Sequence, residues 1–186
     1  MSRVPARPAA PPSIEVLDAV PAPEFVAHMA ALFEGASRFL ARLAAARPYG
    51  SDERLFERAG EIARAMPEDE QVELIDAHPR LGAPPGSVST LSFLEQGYDR
   101  AVADRAAQSE RGRVAGELAR LNAAYEERFG FRYCVYVAGR PWAALLAGMA
   151  RALESDRATE IRRALEDVVA IAEDRLRRLR EGEGSA

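Results

Sequence analysis

The chain has 186 residues, 48% of them hydrophobic, with a formal net charge of −4 and an isoelectric point of about 5.4. That length fits one domain with tails, and the acidic balance excludes a global electrostatic attraction to nucleic acid or anionic membrane. Arginines are frequent but interleaved with acids, as in "EDRLRRLREGE", which reads as a solvated helical face.

Cys134 is the single cysteine, so no intrachain disulfide can form. No apolar run approaches the ~18 residues of a membrane helix. The first residues, "MSRVPARPAAPPS", lack the continuous apolar core of a secretion signal, so a cytoplasmic location is expected.

In chain order, residues 1–13 are rich in proline and alanine and are expected to be disordered, as is the tail 181–186, leaving a folded domain over 14–180. Across 24–46 the residues Phe25, Met29, Leu32, Phe33, Phe39, Leu40 and Leu43 recur at three- and four-residue steps, a helical period. "RPYGS" interrupts, and Ser51 or Asp52 can cap a helix running to about Met66. Pro67 suits a first helical turn, and the acids of "PEDEQVELIDA" then lie near that helix's positive end. After a Gly/Pro loop, Ser89 or Thr90 can cap a helix running toward Ala107. A further helix over 111–128 should be closed by Gly130.

"FRYCVYVAGRP" is aromatic and β-branched and reads as extended. Pro141 opens a helix to about Leu153, with Trp142 packing in its first turn. The last helix, 158–180, carries Ile161, Leu165, Val168, Ala172, Leu176 and Leu179 on one stripe. No internal repeat is present. The expected fold is an all-α, single-domain helical bundle of about seven to eight helices with one short extended segment. A lone extended segment has no sheet to satisfy its backbone, so it must pair with side chains, water, another subunit or a ligand.

Two features carry chemistry. His78 falls at a helix end directly before Pro79, which stops the helix and fixes where the imidazole points; histidine exchanges a proton near neutrality. Ser92, Glu95 and Gln96 stand at i, i+3 and i+4, so they share a helix face that both donates and accepts hydrogen bonds. Each alone is also what an ordinary helix end or polar face contains. His28 has no second histidine at metal spacing, so a metal site is not expected. "GAPPG" lacks the ending of a phosphate loop. Cys134, in an apolar run without a C-x-x-C partner, reads as buried and inert.

Taken together, "AHPRLG", "SFLEQ", "LNAAYEERFGFRY" and "EIRRALEDVVAIAEDRL", in that order, resemble the OHCU decarboxylase family, whose members act on 2-oxo-4-hydroxy-4-carboxy-5-ureidoimidazoline. The resemblance runs over residues 13–179. It implies an all-helical homodimer without a cofactor that releases carbon dioxide to give (S)-allantoin in urate breakdown. It also implies catalytic roles for His78 and Glu95. Substrate contacts are implied at Pro79, at Ser92, Phe93, Leu94, Glu95 and Gln96, and at Tyr133, Cys134, Val135, Tyr136 and Val137. The chain departs from the common family pattern at Ala36, Ser37 and Arg38, and again at Phe131, Arg132 and Tyr133. An enzyme or binding protein for a related ureido or imidazoline acid, or a non-catalytic helical module, would share these motifs.

Overall fold

The computed structural model describes residues 8–98 and 105–183. Among them are nine α-helices and no strand: α1 (Ile14–Ala19), α2 (Ala22–Met29), α3 (Ser37–Ala45), α4 (Asp52–Ala65), α5 (Glu68–Ala77), α6 (Thr90–Glu95), α7 (Arg105–Phe129), α8 (Trp142–Ala152) and α9 (Arg157–Glu183). The helix ends follow local chemistry. Ser51 Oγ accepts from the Arg54 amide at the start of α4, and Ser89 Oγ accepts from the Ser92 amide at the start of α6. Pro67 and Pro141 stand at the N-caps of α5 and α8. Gly130, at φ 75°, closes α7 with its amide on the Glu126 carbonyl.

The core is continuous. Leu17, Phe25, Leu32, Phe33, Leu55 and Leu74 are buried with Tyr125 and the α9 stripe of Ala164, Leu165, Val168 and Ala172. α9 packs against α4 and α5 and so runs behind the helix that ends at His78. No helix among the described residues is long and apolar enough to cross a membrane.

Four boundaries differ from the sequence expectations. The periodic stretch 24–46 is not continuous helix: the chain turns between α2 and α3, where Glu34 (φ 50°) and Gly35 (φ 74°) are both left-handed. A left-handed backbone costs a non-glycine residue roughly 1 kcal/mol, and the partners of the Glu34 carboxylate offset it. Residues before Ser13 are not all loose, because Pro11 is buried and Arg180 donates to the Pro12 carbonyl at 2.9 Å. α9 continues past residue 180 to Glu183. The expected helix from Ser89 toward Ala107 stops early: α6 ends at Glu95, Gly97 turns the chain at φ 71°, and Arg105 already opens α7. Residues 99–104, like residues 1–7 and 184–186 of the expected tails, lie outside the described residues.

Between α5 and α6 the chain forms a loop with a short 3₁₀ turn at Pro85–Ser87. Gly82 takes φ 80° there, and a Cβ on it would stand 3.3 Å from Leu118 Cδ1 of α7. Gly82→Ala combines strain with a tight contact, so it is expected to cost about 1–2 kcal/mol. Thermal unfolding should register this as a melting temperature several degrees lower, with helicity retained at 20 °C.

Candidate active site

His78 is the C-cap of α5, and its extended backbone (φ −76°, ψ 138°) is the conformation that a following proline enforces. The loop it opens is held on several sides. The Arg132 guanidinium donates to the carbonyls of Asp76 (2.7 Å) and His78 (3.3 Å), and the Arg132 amide donates to Asp76 Oδ1 (2.8 Å). Asn122 Nδ2 donates to the Leu81 carbonyl (2.9 Å). Gln96 Oε1 accepts from the Gly82 amide (2.8 Å), while its Nε2 donates to the Arg80 carbonyl (3.3 Å). Trp142 Nε1 in turn donates to the Gln96 carbonyl (3.1 Å). Arg132 therefore fixes the histidine's own backbone.

The imidazole is 4% exposed, with Nδ1 3.3 Å from the Leu74 carbonyl. A carbonyl oxygen only accepts, so Nδ1 carries the proton in the neutral ring and Nε2 presents its lone pair. Among the described residues, Nε2 is buried without a hydrogen-bond partner. Burial, followed by the Arg175 cation, lowers the His78 pKa to about 4, against smaller opposing effects of Glu34 and the Leu74 carbonyl. At neutral pH this histidine is an uncharged base.

Arg175 of α9 is the second fixed point, with a side chain 1% exposed. Its Nε and Nη2 make a two-pronged contact with Glu95 (2.6 and 2.8 Å), and Nη2 also reaches Ser92 Oγ at 3.0 Å and Glu34 Oε1 at 2.8 Å. Nη1 donates to the carbonyls of Ala31 (3.1 Å) and Leu32 (3.2 Å). Every face of the guanidinium is thus engaged. Glu34 also accepts from Ser89 and Ser92 hydroxyls, each at 2.7 Å. Burial pushes the Glu34 carboxyl up, but Arg175 and the two hydroxyls outweigh it and leave its pKa below the usual value.

A cavity is lined by His78, Pro79, Ser92, Glu95, Gln96 and residues 133–137. It therefore brings together most of the residues picked from sequence. Phe93 and Leu94 are not on its wall; the Phe93 ring lies against Tyr98, with centroids 5.5 Å apart. Residues found only in the structure are Leu81, Ala138, Gly139, Ile171, Asp174, Arg175 and Arg178 on the wall, and Glu34 behind it. Their one sequence signal is Arg175, an arginine three residues after Ala172 on an otherwise apolar helical stripe.

Residues 133–137 are irregular rather than β-paired, and much of their backbone is satisfied by side chains. Arg163 donates to the Cys134 carbonyl (2.9 Å), and Arg140 donates to the carbonyls of Val137 (3.0 Å) and Tyr136. The Tyr136 amide bonds to Asp167, whose pKa burial nevertheless raises. The Arg163 guanidinium also lies over the Tyr133 ring, 4.7 Å from its centroid. The Cys134 thiol is sealed, and burial pushes its pKa up to about 12, which makes it a poor nucleophile.

An uncharged buried base and an ion-paired carboxylate thus share the wall of one cavity in an all-helical protein. The chain belongs to the OHCU decarboxylase family, whose model matches residues 18–177. It is 30% identical over 152 residues to the 2-oxo-4-hydroxy-4-carboxy-5-ureidoimidazoline decarboxylase of Haloferax volcanii, covering 82% of this chain and 86% of that one. The "Uric acid degradation bifunctional protein" of Bacillus sp. (strain TB-90) is 29% identical over 93% of this chain, which spans only 33% of that protein's length. PucL, the bifunctional protein of Bacillus subtilis, is 33% identical over 80% of this chain and is matched over 28% of its own length. The fold is that of an OHCU decarboxylase crystallised in the presence of (S)-allantoin (TM-score 0.62, 22% identity, 81% of this chain and 94% of that chain). A crystal structure of (S)-allantoin synthase aligns with the same TM-score of 0.62 at 20% identity, covering 90% of this chain and 54% of that one.

The lowered pKa of His78 has a signed consequence. As pH falls, an unfolded histidine takes up its proton near 6.5, whereas the folded one does so only near about 4. Stability linked to this group is complete above about pH 6.5 and is lost progressively down to about pH 4, by on the order of 3 kcal/mol. Thermal melts across that window should fall more steeply for the wild-type chain than for His78→Gln. Imidazole ¹⁵N spectra at pH 7 should show the neutral Nδ1–H tautomer for the resonance that His78→Gln removes.

Proposed function

We propose that this chain is a cofactor-independent OHCU decarboxylase that converts 2-oxo-4-hydroxy-4-carboxy-5-ureidoimidazoline to (S)-allantoin and carbon dioxide in urate degradation. The observation that carries the reading is the lone pair of His78 Nε2, unpartnered among the described residues, on a residue lining the same cavity as Glu95.

The substrate supplies its own electron sink. The carbon bearing the carboxylate and hydroxyl adjoins a ring C=N bond, so the electron pair released with carbon dioxide becomes a C=C bond and moves the imine pair onto nitrogen. That nitrogen takes a proton from solvent. The resulting enol then loses its hydroxyl proton and gains one at the ureido-bearing carbon, which restores the carbonyl. An uncharged imidazole can carry this transfer, accepting the hydroxyl proton at Nε2 and returning it to carbon. Delivery from a single fixed side gives one enantiomer.

Glu95 lines the cavity while both of its oxygens are held by Arg175, and each oxygen keeps a further lone pair for a ring or ureido N–H. Its orientation is set before substrate arrives. Ser92 and Gln96 act differently: the Ser92 hydroxyl is bonded to Glu34 and Arg175, and the Gln96 amide to the His-Pro loop, so both shape the wall.

The test is a coupled assay in which urate oxidase and the following hydrolase form the substrate in place and circular dichroism follows allantoin. The wild-type chain should give fast, optically active product, and His78→Gln should lower kcat by about a hundredfold or more. Racemic product at the spontaneous rate, from folded wild-type protein, would overturn the reading in favour of another ureido acid.

A further inference from the structure

We propose that Asp76 and Arg132 form a reciprocal clamp that fixes the catalytic histidine relative to the 133–137 stretch of the cavity wall. Both are positioning residues. The inference rests on the decarboxylase reading above and adds the two side chains that set the register between its base and its binding wall.

The need for such a clamp follows from the end of α5. The last carbonyls of a helix have no amide one turn ahead to bind them. Pro79 deepens the deficit, because it brings no N–H of its own. The other bonds of His78 stay within its own helix: its amide donates to the Ile75 carbonyl at 3.1 Å, and Nδ1 meets the Leu74 carbonyl at 3.3 Å. α5 also has acids in its first turn and no basic residue in its last, so its negative end draws no cation from its own sequence. Arg132 supplies both donor and cation. Its Nη1 reaches the carbonyls of Asp76 at 2.7 Å and His78 at 3.3 Å. Among the described residues, Arg132 is the one hydrogen-bond partner that His78 has outside its helix.

The converse contact makes the clamp reciprocal. Asp76 Oδ1 accepts the Arg132 amide at 2.8 Å. Each side chain thus holds the other's main chain across 56 residues of sequence. Arg132 stands between Phe131 and Tyr133, both buried, whose rings meet that of Tyr125 in α7 edge-on at 5.6 and 5.1 Å. The clamp therefore ties the end of α5 to a segment already fixed in the core. Tyr133 directly follows Arg132, His78 lies two residues after Asp76, and both line the cavity. Gln96 and Asn122 hold the loop further along, at Arg80, Leu81 and Gly82.

Two segments fixed to each other before a ligand enters give the base a set aim at whatever the wall binds. A misplacement of about 1 Å between reacting groups can cost on the order of a hundredfold in rate. A misaligned pair still binds but reacts more slowly, so the loss falls on kcat. An imidazole freed from the Leu74 carbonyl can also carry its proton on either nitrogen.

The experiment combines the coupled assay with imidazole ¹⁵N spectra at pH 7 for the wild-type chain, Arg132→Met, Arg132→Lys, Asp76→Ala, Asp76→Asn and Glu126→Gln. Arg132→Met and Asp76→Ala should each lower kcat about tenfold. The His78 resonance of Arg132→Met should show both neutral tautomers, whereas Asp76→Ala, which keeps the guanidinium contacts, should retain Nδ1–H alone. Arg132→Lys keeps a cationic donor and should recover part of both losses. Asp76→Asn keeps an acceptor oxygen and should match the wild type. Glu126→Gln controls for general loosening of the loop, because Glu126 pairs with Arg80; its kcat and spectrum should match the wild type. Circular dichroism checks folding, and Asp76→Ala with Arg132→Lys decides the question if Arg132→Met does not fold. A wild-type kcat in the folded clamp variants, an Nδ1–H tautomer alone in Arg132→Met, or an equal loss in Glu126→Gln would overturn the clamp. A wild-type chain that does not turn over the ureidoimidazoline would instead overturn the decarboxylase reading, and the spectra would still decide whether Arg132 holds the histidine.

Discussion

The burial of the Arg175 charge is the constraint to which the other parts of the site answer. A guanidinium inside a protein is tolerable only where its donors are matched by acceptors. Here those acceptors come from the α2–α3 turn, from Glu34 and from α6, all converging on a side chain of α9. The left-handed backbone at Glu34 makes sense in these terms, because it lets a short connection offer two carbonyls and a carboxylate to one cation. Glu95 is held by the same cation, so a carboxylate on the cavity wall is oriented by the interaction that closes the core.

His78 is governed by the opposite logic. It is buried but kept uncharged, with one nitrogen committed to the Leu74 carbonyl and the other left unpartnered. An unsatisfied buried acceptor is a cost to the folded state, and such costs collect where a ligand will later supply the missing partner. The protein surrounds the loop with Arg132, Asn122 and Gln96 so that this costly arrangement persists. Gln96, which the motif assigns to substrate, has its amide bonded to this loop.

Much of this was legible in the sequence because helices announce themselves by apolar spacing and by caps. Ser51, Ser89, Pro141 and Gly130 mark boundaries that the structure keeps. The break at Glu34 was not legible, since the apolar period continues through it and a left-handed glutamate is stabilised only by distant partners. The i, i+3, i+4 spacing placed Ser92, Glu95 and Gln96 on one face, and those three line the cavity, whereas Phe93 and Leu94, included with the contiguous motif, do not. Glu34, Arg163 and Asp174 act through contacts far apart along the chain, which periodicity does not encode. Arg175 left a trace as a charge on an apolar stripe, yet its partners could not be named from it.

One consequence follows from the way α9 is used. That single helix carries the stripe that fills the core, the arginine that seals the site, the Arg163 and Asp167 pair that supports residues 133–137, and the Asp174 and Arg178 pair at the rim. Because each residue advances the helix by about 100°, gaining or losing one residue before position 163 would rotate all of these away from their partners together. Substitution can vary the rim one residue at a time, but length cannot vary at all. The helix works as a camshaft, on which the angular phase of several lobes is inherited as one quantity.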